Sequence, residues 1–115
     1  MRMKEKNVGG IVIIALSGDL LGEPDTKSLR EKIYDLVKAG LKNVIIDMNG
    51  LNYTNSAGLG ALISALTTMR KNGGDLRLAG LTENVSHLFS ITQLMKVFYI
   101  YGSVKEATDS YANNV

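Results

Sequence analysis

The sequence predicts an α/β domain built on a single-layer, mixed and mostly parallel five-stranded sheet. Short β-branched runs alternate with segments whose apolar residues recur every three or four positions, which is typical of strands alternating with helices. Gly9 and Gly10 separate the first two strand segments and favour an opening hairpin. The expected order is β-β-α-β-α-β-α-β-α with about four helices. At 115 residues, the chain is sized for one domain over residues 1–115.

The first half of the chain contains two expected strands and a helix. Residues 1–7 predict an edge strand, and residues 11–16 predict a buried strand that stops at residues 17–19. A helix is expected to begin around Pro24, because a proline at a helix start loses no backbone bond. It should end at Gly40, which can adopt a left-handed cap. Its predicted inward face consists of Leu29, Ile33, Leu36 and Val37.

The middle of the chain predicts the central strand and the second helix. Val44, Ile45 and Ile46 form a β-branched run that suits a strand buried on both faces. Residues 47–52 are rich in Asp, Asn and Gly and predict a polar turn. The following helix is expected from about Ser56 to Lys71, with its stop at residues 72–74. Its predicted inward face consists of Leu59, Leu62, Ile63, Leu66 and Met69.

The start of this second helix contains two candidate capping residues and two glycines. Asn55 and Ser56 are both good N-cap residues, since their side chains can accept a bond from a first-turn N–H group. Gly58 and Gly60 are costly inside a helix, and they predict a close approach to another backbone.

The last third predicts two strands and two helices. Residues 75–79 form a strand with Leu76 and Leu78 on one side, and residues 97–101 form a short final strand. A third helix opens at residues 82–84. A fourth begins after Ser103, whose spacing to Glu106 matches a capping box. Residues 113–114 are expected to fray. The predicted inward face of the third helix consists of Val85, Leu88, Phe89 and Thr92.

Composition excludes several classes of function. Thirteen basic and eleven acidic residues give a net charge of +2, and their scatter argues against direct nucleic-acid binding. The chain has no cysteine and one histidine, so disulfides, thiolate chemistry and a His-based metal site are not expected, nor is a cofactor. The longest apolar run, residues 11–16, is too short to span a bilayer, and the N-terminus lacks a signal-type segment. The expected compartment is the cytoplasm, with no membrane partner.

Neither of two enzyme-like patterns at the helix start is complete. Ser56 superficially resembles a nucleophile elbow, but Thr54 stands where the first glycine belongs. The single histidine, His87, has no sequence feature directing it to Ser56. Gly58 and Gly60 begin a GxGxxG pattern, yet Ile63 occupies the third glycine position. The sequence therefore does not predict an enzyme.

Two binding interpretations of the same region remain open. A helix N-terminus favours an anion, and a phosphate on Ser56 would supply one; a plain N-cap explains the same residues equally well. Four residues near this end of the sheet are candidates for an apolar docking patch or for the core: Leu20, Leu21, Leu59 and Met95.

Residues 47–60, Asp-Met-Asn-Gly-Leu-Asn-Tyr-Thr-Asn-Ser-Ala-Gly-Leu-Gly, resemble the signature of the STAS domain, the family of bacterial anti-sigma factor antagonists. That signature is an aspartate, an apolar residue and a serine, followed by Asp-Ser-Ser/Thr-Gly-Leu-Gly. Residues 18–20 are similar to the Gly-Glu-Leu/Ile that ends the second strand of the family. Residues 88–94 resemble its Leu-Phe…Gly-Leu stretch, so the resemblance spans nearly the whole chain.

The resemblance implies a protein that binds an anti-sigma serine kinase and thereby frees a sigma factor. Ser56 matches the phosphoacceptor of the family; the kinase brings ATP and magnesium, and a serine phosphatase reverses the modification. The chain is then a substrate rather than an enzyme. The implied partner-binding residues are Asp19, Leu20, Leu21, Asn55, Ser56, Ala57, Gly58 and Leu59.

The chain departs from the family pattern at three positions. Asn55 and Leu21 stand where the family has aspartates, and Ala57 replaces a second Ser or Thr. The first alternative function is therefore a constitutive STAS docking module that is not switched by phosphorylation. A lower alternative is a small hydrolase or nucleotide-binding protein using the same helix end. The sequence leaves the oligomeric state open, since Phe98, Tyr99 and Tyr101 suit either a core or an edge contact.

Overall fold

The predicted α/β order is confirmed by a computed structural model, which describes residues 1–112. The elements are β1 (Arg2–Val8), β2 (Ile11–Leu20), α1 (Asp25–Lys38), β3 (Asn43–Thr54), α2 (Ser56–Lys71), β4 (Asp75–Ala79), α3 (Glu83–Ile91), a 3₁₀ turn (Leu94–Lys96), β5 (Ile100–Tyr101) and α4 (Val104–Ala112). The sheet runs β1-β2-β3-β4-β5, with β1 antiparallel to β2 and every other pair parallel. The fraying expected at residues 113–114 lies outside the described residues.

Helices pack on both faces of the sheet. On what we call the first face, α1, α2 and α3 enclose the main core together with Val44 and Ile46 of β3. On the second face, α4 packs with Ala107 against a smaller cluster that contains Ile45. Since successive strand residues point to opposite faces, the predicted central strand is confirmed as buried on both sides. Within residues 1–112, no helix is both long and apolar enough to cross a membrane.

The predicted ends of β2 and β3 are wrong, because both strands continue past their polar residues. β2 runs on to Leu20 and β3 to Thr54, and the two stay paired through irregularities that place extra residues on β3. Such bulges let a strand change its side-chain alternation without ending. Met48 and Leu51, inside the supposed turn, are fully buried.

The predicted last strand is also too long. Only Ile100 and Tyr101 pair with β4, so residues 97–99 of the predicted strand lie between a 3₁₀ turn at residues 94–96 and the start of β5. Phe98 turns into the core, and its ring centroid lies 5.7 Å from that of Phe89. Phe98 therefore contributes to the core rather than to the β4–β5 ladder.

The helix faces match the prediction except at two positions. Leu29, Ile33 and Leu36 of α1 are buried, and Val37 packs against the core. Ile63 of α2 is 36% exposed, and Thr92 lies beyond the end of α3, where its hydroxyl donates to the Leu88 carbonyl oxygen. The predicted stops are confirmed, including the left-handed conformation expected at Gly40, whose φ is 78°; φ at Gly73 is 79°.

A polar cluster holds the end of α4 against the sheet. The Tyr111 hydroxyl lies 2.8 Å from the Val44 carbonyl oxygen and 2.9 Å from that of Asp75, at the start of β3 and β4. The Arg77 guanidinium stacks under the Tyr111 ring at 4.0 Å from its centroid and donates to Asp75 and Ser110. These bonds satisfy a nearly buried arginine, which would otherwise be costly to bury.

Tyr111→Phe is expected to reduce the loss of stability at alkaline pH. Burial first, and then the negative charge of Asp75, raises the pKa of Tyr111 well above its ordinary value of 10.0. Above about pH 10 the unfolded chain releases this proton while the folded chain keeps it, so stability falls by up to about 1.4 kcal/mol per pH unit. Urea unfolding across this range should give a steeper decline for the parent chain than for Tyr111→Phe. Equal slopes would contradict the prediction.

Candidate functional site

The ends of β2 and β3 bring two distant stretches of sequence together at one edge of the sheet. Leu20 is paired with Thr54, and the Thr54 hydroxyl donates to the Leu20 carbonyl oxygen at 2.7 Å. The loop that leads to α1 and the start of α2 therefore lie side by side. The resemblance placed Leu20 and Leu21 near Asn55 and Ser56, and the structure brings them together.

Asn55 joins the helix start to the neighbouring loop. Its Oδ1 accepts from the Gly58 N–H at 3.0 Å, which caps α2, and its Nδ2 donates to the Leu21 carbonyl oxygen at 2.8 Å. Of the two predicted capping residues, Asn55 is therefore the N-cap, and Ser56 is the first residue of the helix. The amide uses its acceptor and its donor at once, which an ionised carboxylate cannot do.

Gly58 is required by the close packing of this junction, whereas Gly60 is not. A Cβ at Gly58 would collide with the Thr54 Oγ1 and the Leu20 carbonyl oxygen, while one at Gly60 would meet nothing within 4 Å. The predicted close approach is thus confirmed at Gly58 and wrong at Gly60. Sequence reasoning missed Thr54, whose hydroxyl fills the space that Gly58 leaves. The sequence feature that could have indicated this role is a hydroxyl residue directly before the helix N-cap.

The expected apolar patch divides into core and surface. Leu20 is fully buried and Leu59 is 6% exposed, so both hold the junction from inside and neither offers a docking surface. Leu21 and Met95 remain exposed, at 50% and 42%. Around the helix start, Ser56 and Ala57 are also exposed and Asp19 is partly so.

The helix start is electropositive in character and holds no acid. No acidic residue lies in the first turn of α2, and its basic residues, Arg70 and Lys71, lie in the last turn. The first N–H groups of a helix lack intrahelical partners and carry a partial positive charge, so an anion is favoured there. His87 is exposed on α3, and residues 1–112 bring no three acidic or histidine side chains together as a metal site.

The protein is a small α/β domain with a mixed five-stranded sheet, and its candidate site consists of an exposed serine at a helix start beside an exposed loop leucine. The STAS domain model matches residues 2–107. The chain belongs to the STAS domain family.

Three relatives illustrate the similarity. The anti-sigma-B factor antagonist of Bacillus subtilis (strain 168) is 34% identical over 85 residues, covering 71% of this chain and 77% of that protein. The crystal structure of an anti-sigma factor antagonist from Mycobacterium paratuberculosis has a TM-score of 0.81 at 19% identity, covering 95% of this chain and 92% of that one. The phosphorylated form of the Bacillus cell fate determinant SpoIIAA has a TM-score of 0.75 at 20% identity, covering 96% and 99%. The two structural likenesses bear on the fold alone.

Gly58→Ala and Gly60→Ala are expected to change stability in opposite directions. The methyl group at position 58 must displace the Leu20 carbonyl or the Thr54 hydroxyl, which should cost about 2 kcal/mol. At position 60 the added methyl has open space and improves helix propensity, which should gain about 1 kcal/mol. Urea denaturation of the two variants tests this directly. The absence of a cost at position 58 would contradict the described junction, and a cost at position 60 would contradict the open space there.

Proposed function

We propose that the chain is an anti-sigma factor antagonist that binds an anti-sigma serine kinase, releases a sigma factor and is switched by phosphorylation of Ser56. The observation that carries the proposal is the exposed Ser56 at the first position of α2, next to a loop that presents Leu21 to solvent. The family membership supports the same function. The chain acts as a substrate, and a serine phosphatase reverses the modification. Such a switch operates in the cytoplasm, where ATP and sigma factors are available.

A phosphate at Ser56 has opposite effects inside the free protein and in the complex. A phosphoserine carries about −1.5 to −2 charges, and a helix N-terminus favours them. In a complex the same charge must be desolvated beside the apolar side chains of Leu21 and Ala57, which is costly unless the partner supplies a cation. The phosphorylated chain should therefore stay folded and lose affinity for its partner.

The bond from Asn55 to the Leu21 carbonyl keeps the docking loop against the helix start. In this arrangement Ser56 and Leu21 belong to one continuous surface, although they lie far apart in sequence. Asp19 is the one carboxylate among the predicted partner-binding residues. The proposed partner therefore meets a surface that is more apolar than one carrying aspartates at positions 21 and 55.

Incubation with anti-sigma serine kinases of the source organism, ATP and magnesium is expected to add one phosphate to the chain. The phosphate should be absent from Ser56→Ala and present in Ser90→Ala, which removes another exposed serine. Intact-mass spectrometry and peptide mapping measure both results. Failure of every such kinase, or a phosphate retained in Ser56→Ala, would defeat the proposed switch.

Leu21→Glu is expected to weaken binding of the unphosphorylated chain to its kinase by at least about ten-fold, because a buried charge would replace an apolar contact. Val8→Glu is the matched control, since Val8 is 48% exposed and lies beside Ile11 at the opposite end of β2. Calorimetric titration with the kinase should show a loss of affinity for Leu21→Glu and none for Val8→Glu. Equal affinities of the two variants would remove Leu21 from the interface.

A constitutive docking module is the second candidate, and Asn55 and Leu21 are the residues that favour it. Neither position offers the carboxylate of the family pattern to a kinase. Ser56→Asp distinguishes the two functions, because it places a charge at the helix start without any kinase. It should weaken partner binding if Ser56 is the switch, and leave binding unchanged if docking does not depend on this position.

A further inference from the structure

The second face of the sheet is only partly covered by α4. This helix contacts β3, β4 and β5, where Ala107 is fully buried. Beside it, a groove of about 450 Å³ remains open over β1 and β2, lined by Lys4, Glu5, Lys6, Ile13, Ala15, Asp47 and Val104. The groove is separate from the start of α2, because α2 packs on the first face.

Strand register gives the groove an apolar floor and a basic wall. Lys4 is paired with Ala15 and Lys6 with Ile13 across the antiparallel β1–β2 ladder, so each pair shares the second face. Ile13 and Ala15 form the floor. Val104, the first residue of α4, forms the wall opposite the lysines.

Lys4 and Lys6 are both exposed. Among the ion pairs within residues 1–112, none includes Lys4 or Lys6. Glu5, which lies between them, binds Lys32 of α1 at 2.8 Å. The Asp47 Oδ1 accepts from the backbone N–H and the side-chain amide of Asn49, at 3.0 and 2.7 Å. The groove therefore offers two ammonium groups on its β1 side, above an apolar floor, and the Asp47 carboxylate on its β3 side.

We propose that this groove binds a small amphiphilic anion, with a carboxylate between Lys4 and Lys6 and an apolar chain over Ile13 and Ala15 against Val104. The volume falls within the range of about 300–1,000 Å³ typical of small-molecule sites. Charge-assisted hydrogen bonds from two lysines fix the head group, and apolar burial holds the chain. The site does not depend on the proposed kinase partner.

Titration of the isotopically labelled protein with decanoate, below its micelle concentration, tests the proposal. Saturable chemical-shift changes are expected at the amides of Lys4, Ile13 and Val104. Decanol, which has the same chain without the charge, should bind at least about ten-fold more weakly, as should decanoate to the Lys4→Gln/Lys6→Gln variant. Ala15→Leu fills the floor and should abolish binding without touching the main core.

Lys38→Gln/Lys71→Gln is the matched control, because it makes the same charge change on the exposed helix ends of α1 and α2. It should bind decanoate like the parent chain. Absence of saturable shifts, equal affinity for decanol, or equal losses in the two lysine double variants would overturn the proposal. Attachment to anionic phospholipid vesicles without saturable decanoate binding would also overturn it, since that outcome indicates surface adsorption.

Discussion

The parallel pairing of β2 with β3 is the constraint on which the other features of this domain depend. Between the Ala15–Asp47 pair and the Leu20–Thr54 pair, β2 advances five residues while β3 advances seven. The two additional residues let β3 bury both Met48 and Leu51, which a regular alternation of two cannot place on one face. The same pairing delivers Leu20 beside Thr54. The core and the proposed docking surface both depend on this one strand pair.

The elements that sequence predicted well are those in which local chemistry and tertiary packing agree. The limits of α2 follow from a capping asparagine and a terminal glycine, and the structure keeps both. The extension of β3 was missed because Asn49 and Gly50 suit a turn, and only the packing of Met48 against the core overrides that preference. The start of β5 was missed for a similar reason: Phe98 belongs to a strand by propensity but contacts Phe89 instead.

The structure divides the residues that the sequence assigned to the candidate site into buried supports and exposed side chains. Leu20 and Leu59 were possible docking residues, and both turned out to be buried supports. Burial of a leucine at a strand end depends on what packs above it, and one sequence does not contain that information. The sequence also did not predict that Asn55 both caps α2 and bonds to the neighbouring loop, since its bond to the Leu21 carbonyl spans 34 positions of the chain.

The fold and the proposed switch depend on different residues, so a substitution can alter one of them without altering the other. The junction needs an acceptor for the Gly58 N–H and a glycine at position 58, and neither requirement involves the hydroxyl of Ser56. An asparagine at position 55 retains the cap and adds a neutral donor to the loop, whereas an aspartate would place its charge against the Leu21 carbonyl oxygen. Asparagine rather than aspartate at position 55 therefore leaves the proposed docking surface with one charge fewer, at little cost to the helix. A partner adapted to this surface should rely on the apolar side chain of Leu21, and phosphorylation of Ser56 would then supply the dominant charge at the interface.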